Sequence, residues 1–135
     1  MRDELAGKAS RDLLRDTAVG LRVDAGNPSL KEVEKAAAAL CAEEDNAGWV
    51  RLPDSTLSDY LSGRRDVLPD WRFVHTFVVV CHRLAIGNGL EPEPLRDLKA
   101  TFGALWKAAK HKEKGSLTVI TPLPYRQYDI LEPTI

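Results

Sequence analysis

The sequence predicts one all-α domain of about five helices, followed by an extended C-terminal tail. Apolar residues recur at helical spacing through most of the first 114 positions. Glycines and prolines interrupt this pattern where helices are expected to end. Beyond it come β-branched residues and the prolines at 122, 124 and 133, which are incompatible with a long helix. We therefore assign residues 1–114 to a helical domain and residues 115–135 to the tail.

The first two predicted helices each have one apolar face. The first helix is expected to open near Ser10, and its stripe consists of Leu14, Ala18 and Leu21. The second follows the turn at Asn27, because Ser29 and Glu32 have the three-residue spacing of a capping box. Its apolar stripe consists of Leu30, Val33, Ala37, Leu40 and Cys41. Both stripes are expected to face the core.

A short third helix is predicted after a loop. The loop, residues 41–53, is rich in turn-forming residues. The helix is expected to start at Asp54 or Ser55, either of which can cap its first amides, and to end at Gly63. This gives a helix of about two turns.

The fourth helix has the clearest pattern and is expected to be central. Asp70 is its predicted N-cap, and the glycines at 87 and 89 end it. Its stripe consists of Val74, Phe77, Val78, Cys81 and Ala85. A fifth helix is predicted to open after Pro92 or Pro94 and to dissolve into the charged segment 107–114.

The tail is too apolar for a solvated linker. We expect it to lie in extended form on the helical domain, on a second copy or on a partner protein. Val119 and Ile120 are the predicted anchors, and Leu123 and Tyr125 are expected to add partner contacts.

Composition points to an ordinary globular protein, with 44% hydrophobic and 29% charged residues. The longest apolar run, residues 77–81, is too short to cross a bilayer, and no signal-peptide pattern is present, so we expect a cytoplasmic location without membrane contact. Cys41 and Cys81 fall within helical patterns, as reduced and packed cysteines do.

No residue pattern indicates catalysis, a cofactor or a metal. His75 and His82 are seven residues apart, which does not supply the three or four convergent ligands of a metal site, so we interpret them as surface histidines. Glu91 and Glu93 are interpreted as loop charges, because no nucleophile pattern accompanies them. We therefore predict a non-enzymatic protein.

The most informative stretch is residues 55–65, Ser-Thr-Leu-Ser-Asp-Tyr-Leu-Ser-Gly-Arg-Arg. A short polar helix, a glycine stop and two arginines precede a new helix at Leu68-Pro-Asp-Trp71. This order is typical of the second half of a helix-turn-helix, which presents one helix to a DNA groove.

On the basis of these residues, the region 21–108 resembles the helix-turn-helix domains of actinobacterial regulators in the lambda-repressor-like, or XRE, group. Residues 29–33 resemble the start of the first motif helix, 55–65 the recognition helix, 68–81 the next core helix and 91–106 the closing one. The resemblance implies a lambda-repressor-like fold and a transcriptional regulator. The chain departs from the family at the turn between the motif helices, which residues 41–53 lengthen with three acidic side chains.

The predicted DNA-binding residues belong to the third helix and its flanks. They are Arg51, Ser55, Thr56, Ser58, Asp59, Arg64 and Arg65. Hydroxyl groups donate to phosphates or bases, an aspartate accepts from cytosine, and arginines bind phosphates. Leu57 and Leu61 are expected to anchor the helix inward, while Tyr60 either flanks the DNA backbone or packs half-buried.

Charge balance keeps a second function open. Between residues 49 and 72 the four arginines are matched by four aspartates, and the whole chain has a net charge of −1. The first hypothesis is a regulator that binds double-stranded DNA as a homodimer, because one small helix buries little area. The alternative is a protein-protein interaction module on the same scaffold, which docks a partner or a second copy through its tail.

Overall fold

Five α-helices make up the described part of the chain. The computed structural model describes the backbone of residues 2–43 and 48–118, and the side chains of residues 7–43 and 48–112. The helices are α1 Arg2–Asp24, α2 Leu30–Glu43, α3 Asp54–Leu61, α4 Trp71–Gly87 and α5 Leu95–Thr118, and these residues contain no strand. The all-α prediction and the helix number are confirmed.

Helix α4 lies at the centre of the core, as predicted. It contacts α1, α2 and α5, and residues 76–81 are buried without interruption. A helix that is buried on nearly all sides belongs in the middle of a domain. The one polar side chain in this run, Thr76, is satisfied, because its hydroxyl donates to the Arg72 carbonyl at 2.7 Å and accepts from the Val50 amide at 3.2 Å.

Helix α1 packs most extensively against α5. Leu14 and Ala18 of α1 are buried in the core together with Leu98 and Phe102 of α5. The predicted start near Ser10 was too late, because α1 begins at Arg2. The first turns of α1 precede the apolar stripe. Gly7 in them is buried, and Lys8 pairs with Asp12 at 3.3 Å.

The predicted starts of α2, α3, α4 and α5 are confirmed, but the predicted capping role of Asp54 or Ser55 in α3 is wrong. The Ser29 amide donates to Glu32 Oε1 at 2.8 Å and the Glu32 amide donates to Ser29 Oγ at 3.1 Å, which completes the capping box. Asp70 caps α4 by accepting from the Arg72 amide. The N-cap of α3 is Pro53, not Asp54 or Ser55. Asp54 is already helical, and its carboxylate pairs with Lys31 Nζ of α2 at 3.1 Å.

Helix α5 continues to Thr118, past position 115 where the extended tail was predicted to begin. The charged residues 107–114 are mostly lysine and alanine, which have high helix propensity, and Ala109 is fully buried. The predicted tail anchors Val119, Ile120, Leu123 and Tyr125 lie outside the described residues. Within the described part of the chain, no helix has the length and apolar character needed to span a membrane.

Candidate nucleic-acid interface

Helix α3, the predicted reading helix, has one buried and one accessible face. Leu57 is fully buried, while Ser55 is exposed and Thr56, Ser58 and Asp59 are partly exposed. Tyr60 is a second buried residue of this face, and Leu61 is half-buried and packs against the core as predicted. The helix contacts α1 and α2, so its accessible side is the one with the predicted polar residues.

Tyr60 is part of the core and does not flank a DNA backbone. Its ring meets Phe73 edge-on, with centroids 5.9 Å apart. Burial raises the pKa of its hydroxyl, which has no hydrogen-bond partner among the described residues. Through this contact the buried Tyr60 ring packs α3 against α4.

The chain leaves α3 through residues 62–66, the exit segment. Gly63 has a positive φ of 79° and ends the helix as predicted. A Cβ at this position would lie 3.3 Å from Arg15 Cζ of α1, so the glycine also permits close approach of that guanidinium. The Arg65 amide donates to the Asp59 carbonyl at 3.2 Å, which fixes the direction in which the chain turns.

The two exit arginines differ in their surroundings. Arg64 Nη1 lies 3.3 Å from Asp59 Oδ1, and the two side chains are 71% and 41% exposed. A pair this accessible contributes at most about 1 kcal/mol, so a phosphate can displace the aspartate. Arg65 is exposed and forms no ion pair with any described residue. The same holds for Arg51, which precedes α3 and makes no described contact with the exit segment.

Helix α1 contributes basic side chains that the sequence analysis missed. Arg11 binds Asp66 in the exit segment through two contacts, Nε to Oδ1 at 3.1 Å and Nη2 to Oδ2 at 3.3 Å. Lys8 Nζ lies 3.8 Å from Asp66 Oδ2. The hydrogen bond from Arg11 is the largest cause of the lowered pKa of Asp66. Because 55 residues separate the partners, no local pattern could reveal this pair.

These long-range pairs show that the four aspartates of residues 49–72 do not all neutralise the four arginines of the same stretch. Asp54 and Asp66 are paired with cations from α2 and α1, which lie outside the stretch where the charges were counted. Asp59 and Asp70 pair with Arg64 and Arg72 within it. Arg51 and Arg65 are therefore left without a carboxylate partner among the described residues, at the two ends of α3.

The end of α2 and part of the loop before α3 contact α4. Glu43 pairs with Arg83 of α4 at 3.1 Å, and the Trp49 ring lies 5.0 Å from the His75 ring. Trp49 is half-buried, and its indole nitrogen is buried with no hydrogen-bond partner in the described ranges. Trp49 is thus a packing residue.

His75 is partly exposed, and its ring makes contacts that the sequence did not predict. Its ring stacks on Trp71 with centroids 5.5 Å apart and an interplanar angle of 6°. Desolvation, and to a smaller extent Lys99, lower its pKa. The seven-residue spacing to His82 did not reveal this stacking, because the stacking depends on the orientation of the Trp71 ring.

An aromatic groove runs between α4 and α5. Trp71 lies 6.0 Å from Trp106, whose Nε1 donates to the Pro69 carbonyl at 2.8 Å. These rings, together with lysine and alanine side chains, line an open groove with a volume of about 540 Å³. Its remaining lining residues are Lys99, Ala100, Gly103, Ala104 and Lys107.

Comparisons of the chain with protein-family models, with curated proteins and with solved structures find no significant match. The lambda-repressor-like resemblance therefore stays a prediction that rests on the residues quoted above. Across the described ranges, no group of three or more His, Cys, Asp or Glu side chains is arranged to hold a metal ion.

Proposed function

We propose that the protein is a DNA-binding transcriptional regulator that presents α3 to the major groove of double-stranded DNA. In this proposal α2 and α3 are the helix-turn-helix of a lambda-repressor-like domain. The observation that supports it best is the surface of α3, where a polar face is accessible between two exposed arginines, Arg51 and Arg65, without carboxylate partners in the described chain.

Each predicted residue has a role that fits its position. Arg51, Arg64 and Arg65 bind phosphates, and each contact releases condensed counterions from the duplex. Ser55, Thr56 and Ser58 donate hydroxyl hydrogen bonds to phosphates or base edges. Once a phosphate takes Arg64, the Asp59 carboxylate is free to accept from the amino group of a cytosine.

A single eight-residue reading helix is small for a specific operator. We therefore propose that two copies bind together and place their α3 helices in successive major grooves, about 34 Å apart on one side of the duplex. The specific sites would then be inverted repeats.

Replacing Asp59 by asparagine should tighten binding to an arbitrary duplex about two- to tenfold at 0.1 M salt. The change removes a negative charge from the DNA-facing surface and releases Arg64 from its pair. Fluorescence anisotropy with a labelled duplex measures the effect. Asp97→Asn on α5 makes the same charge change elsewhere and should have a much smaller effect. Equal affinity of the Asp59 variant and the wild type would place α3 outside the interface.

The aromatic groove favours a second candidate function, a protein interaction module. The half-buried tryptophans Trp71 and Trp106 support this candidate, because tryptophan is enriched at protein interfaces. Residues 119–135, the part of the predicted tail that follows α5, come directly after the helix that forms one wall of this groove. Their apolar side chains are suited to bind the tryptophan rings. In this alternative the tail of the same chain, of a second copy or of a partner occupies the groove.

Deletion of residues 119–135 tests the alternative. If the tail covers the groove, the deletion should shift tryptophan fluorescence to longer wavelength, and if it covers a second copy the mass in solution should also fall. The far-ultraviolet helical signal should stay nearly constant, because the deletion removes no residue of α1 to α5. The full-length variant Val119→Ser with Ile120→Ser should reproduce the deletion. An unchanged spectrum, mass and stability would show that the tail makes no such contact.

A further inference from the structure

A second concave surface is formed by α1, α4 and α5. It encloses about 300 Å³, a volume at the lower end of small-molecule sites. None of the residues of α3 or of the exit segment lines it. The cavity is therefore separate from the candidate nucleic-acid interface.

The floor of this cavity is apolar and neutral. Ala25, Ala85 and Phe102 line it and are almost completely buried. The Cys81 thiol also lines it, is fully buried and has no hydrogen-bond partner among the described residues. Burial raises the pKa of Cys81 to about 12, although the positive charge of Arg22 opposes this in part. The thiol stays protonated at neutral pH and adds no charge.

The rim of the cavity carries carboxylates. Asp24, at the end of α1, and Glu93, in the loop before α5, are both exposed, and neither forms an ion pair with a described residue. His82 and Thr101 add hydrogen-bonding groups. The Arg22 guanidinium donates to the Pro28 carbonyl at 2.7 Å and does not line the cavity, although its positive charge acts on Cys81.

We propose that this cavity binds a small organic cation, a primary amine attached to an apolar or aromatic body. The ammonium group would donate to the Asp24 and Glu93 carboxylates, since hydrogen bonds between ionised partners are the stronger ones. The body would lie against the partly exposed side chains of Leu21 and Pro92, above the buried floor. A group of about ten heavy atoms fits the volume.

Three compounds with the same aromatic body and different heads test the proposal on the full chain. They are 2-phenylethylamine, 2-phenylethanol and phenylacetate. Isothermal titration and melting curves at neutral pH should show binding and a raised Tm for the amine, weaker binding for the alcohol and none for the acid. Equal binding of all three compounds, or binding of none, would overturn the proposal.

Variants on the rim locate the site. The double variant Asp24→Asn with Glu93→Gln should weaken amine binding about tenfold or more, to the level of the alcohol. Both positions are exposed, so the fold should be retained. Glu91→Gln removes a charge from the same loop but not from the cavity lining, and should leave amine binding unchanged. Unchanged amine affinity in the double variant would contradict the assignment of the carboxylates.

Discussion

Replacing Phe77 by alanine is expected to lower the free energy of unfolding by about 3 to 5 kcal/mol. The side chain is only 2% exposed and belongs to α4, the helix that contacts α1, α2 and α5. Its removal costs the transfer free energy of the ring and leaves a cavity that neighbouring helices close only in part. Urea denaturation followed by circular dichroism measures the loss, which is a large share of the roughly 5 to 15 kcal/mol that stabilises a domain.

Ile86→Ala is the matched control for Phe77. It lies on the same helix but is 56% exposed, so its removal should change stability by less than about 1 kcal/mol. A loss below about 1 kcal/mol for Phe77→Ala would mean that α4 does not form the centre of the core.

The double variant Arg64→Ala with Arg65→Ala should weaken binding to all duplexes alike, by roughly ten- to a hundredfold at 0.1 M salt. Both guanidinium groups follow α3 in the exit segment, and both are exposed. If each binds one phosphate, the slope of log K against log salt should fall by about one to two per protomer. Stability should stay within about 1 kcal/mol of the wild type, because an exposed pair such as Arg64 with Asp59 contributes little.

The double variant Arg83→Ala with Arg96→Ala removes the same charge from other parts of the surface. Its salt slope should match that of the wild type, since neither residue belongs to α3 or its flanks. If the Arg64 and Arg65 variant and this control gave the same slope, the exit arginines would not be phosphate contacts.

Local signals in the sequence were sufficient for most of the fold. The capping box of Ser29 and Glu32, the cap at Asp70 and the left-handed Gly63 each depend on residues a few positions apart, and all three are confirmed. The apolar stripe of α4 correctly predicted its central place. The start of α1 and the end of α5 were missed, because both helices continue beyond their stripes of large apolar residues. Small buried residues such as Gly7 and Ala109, and residues of high helix propensity, extend them.

The candidate site was less accessible to sequence reasoning, because its electrostatics depend on distant residues. Counting charges along residues 49–72 gave a balanced face, whereas the folded chain pairs Asp66 with Arg11 and Asp54 with Lys31. The same limit applies to His75, whose stacking depends on the orientation of the Trp71 ring and not on local spacing.

Binding of the wild-type chain to a pool of genomic duplexes across a salt series tests the proposed function most directly. With Arg51, Arg64 and Arg65 on phosphates, we expect log K to fall linearly with log salt, at a slope of about −2.7 per protomer and about −5.4 for a dimer. A subset of duplexes with inverted repeats should stay bound at salt concentrations that release the rest. Failure to bind any duplex at about 50 mM salt would contradict the proposed function.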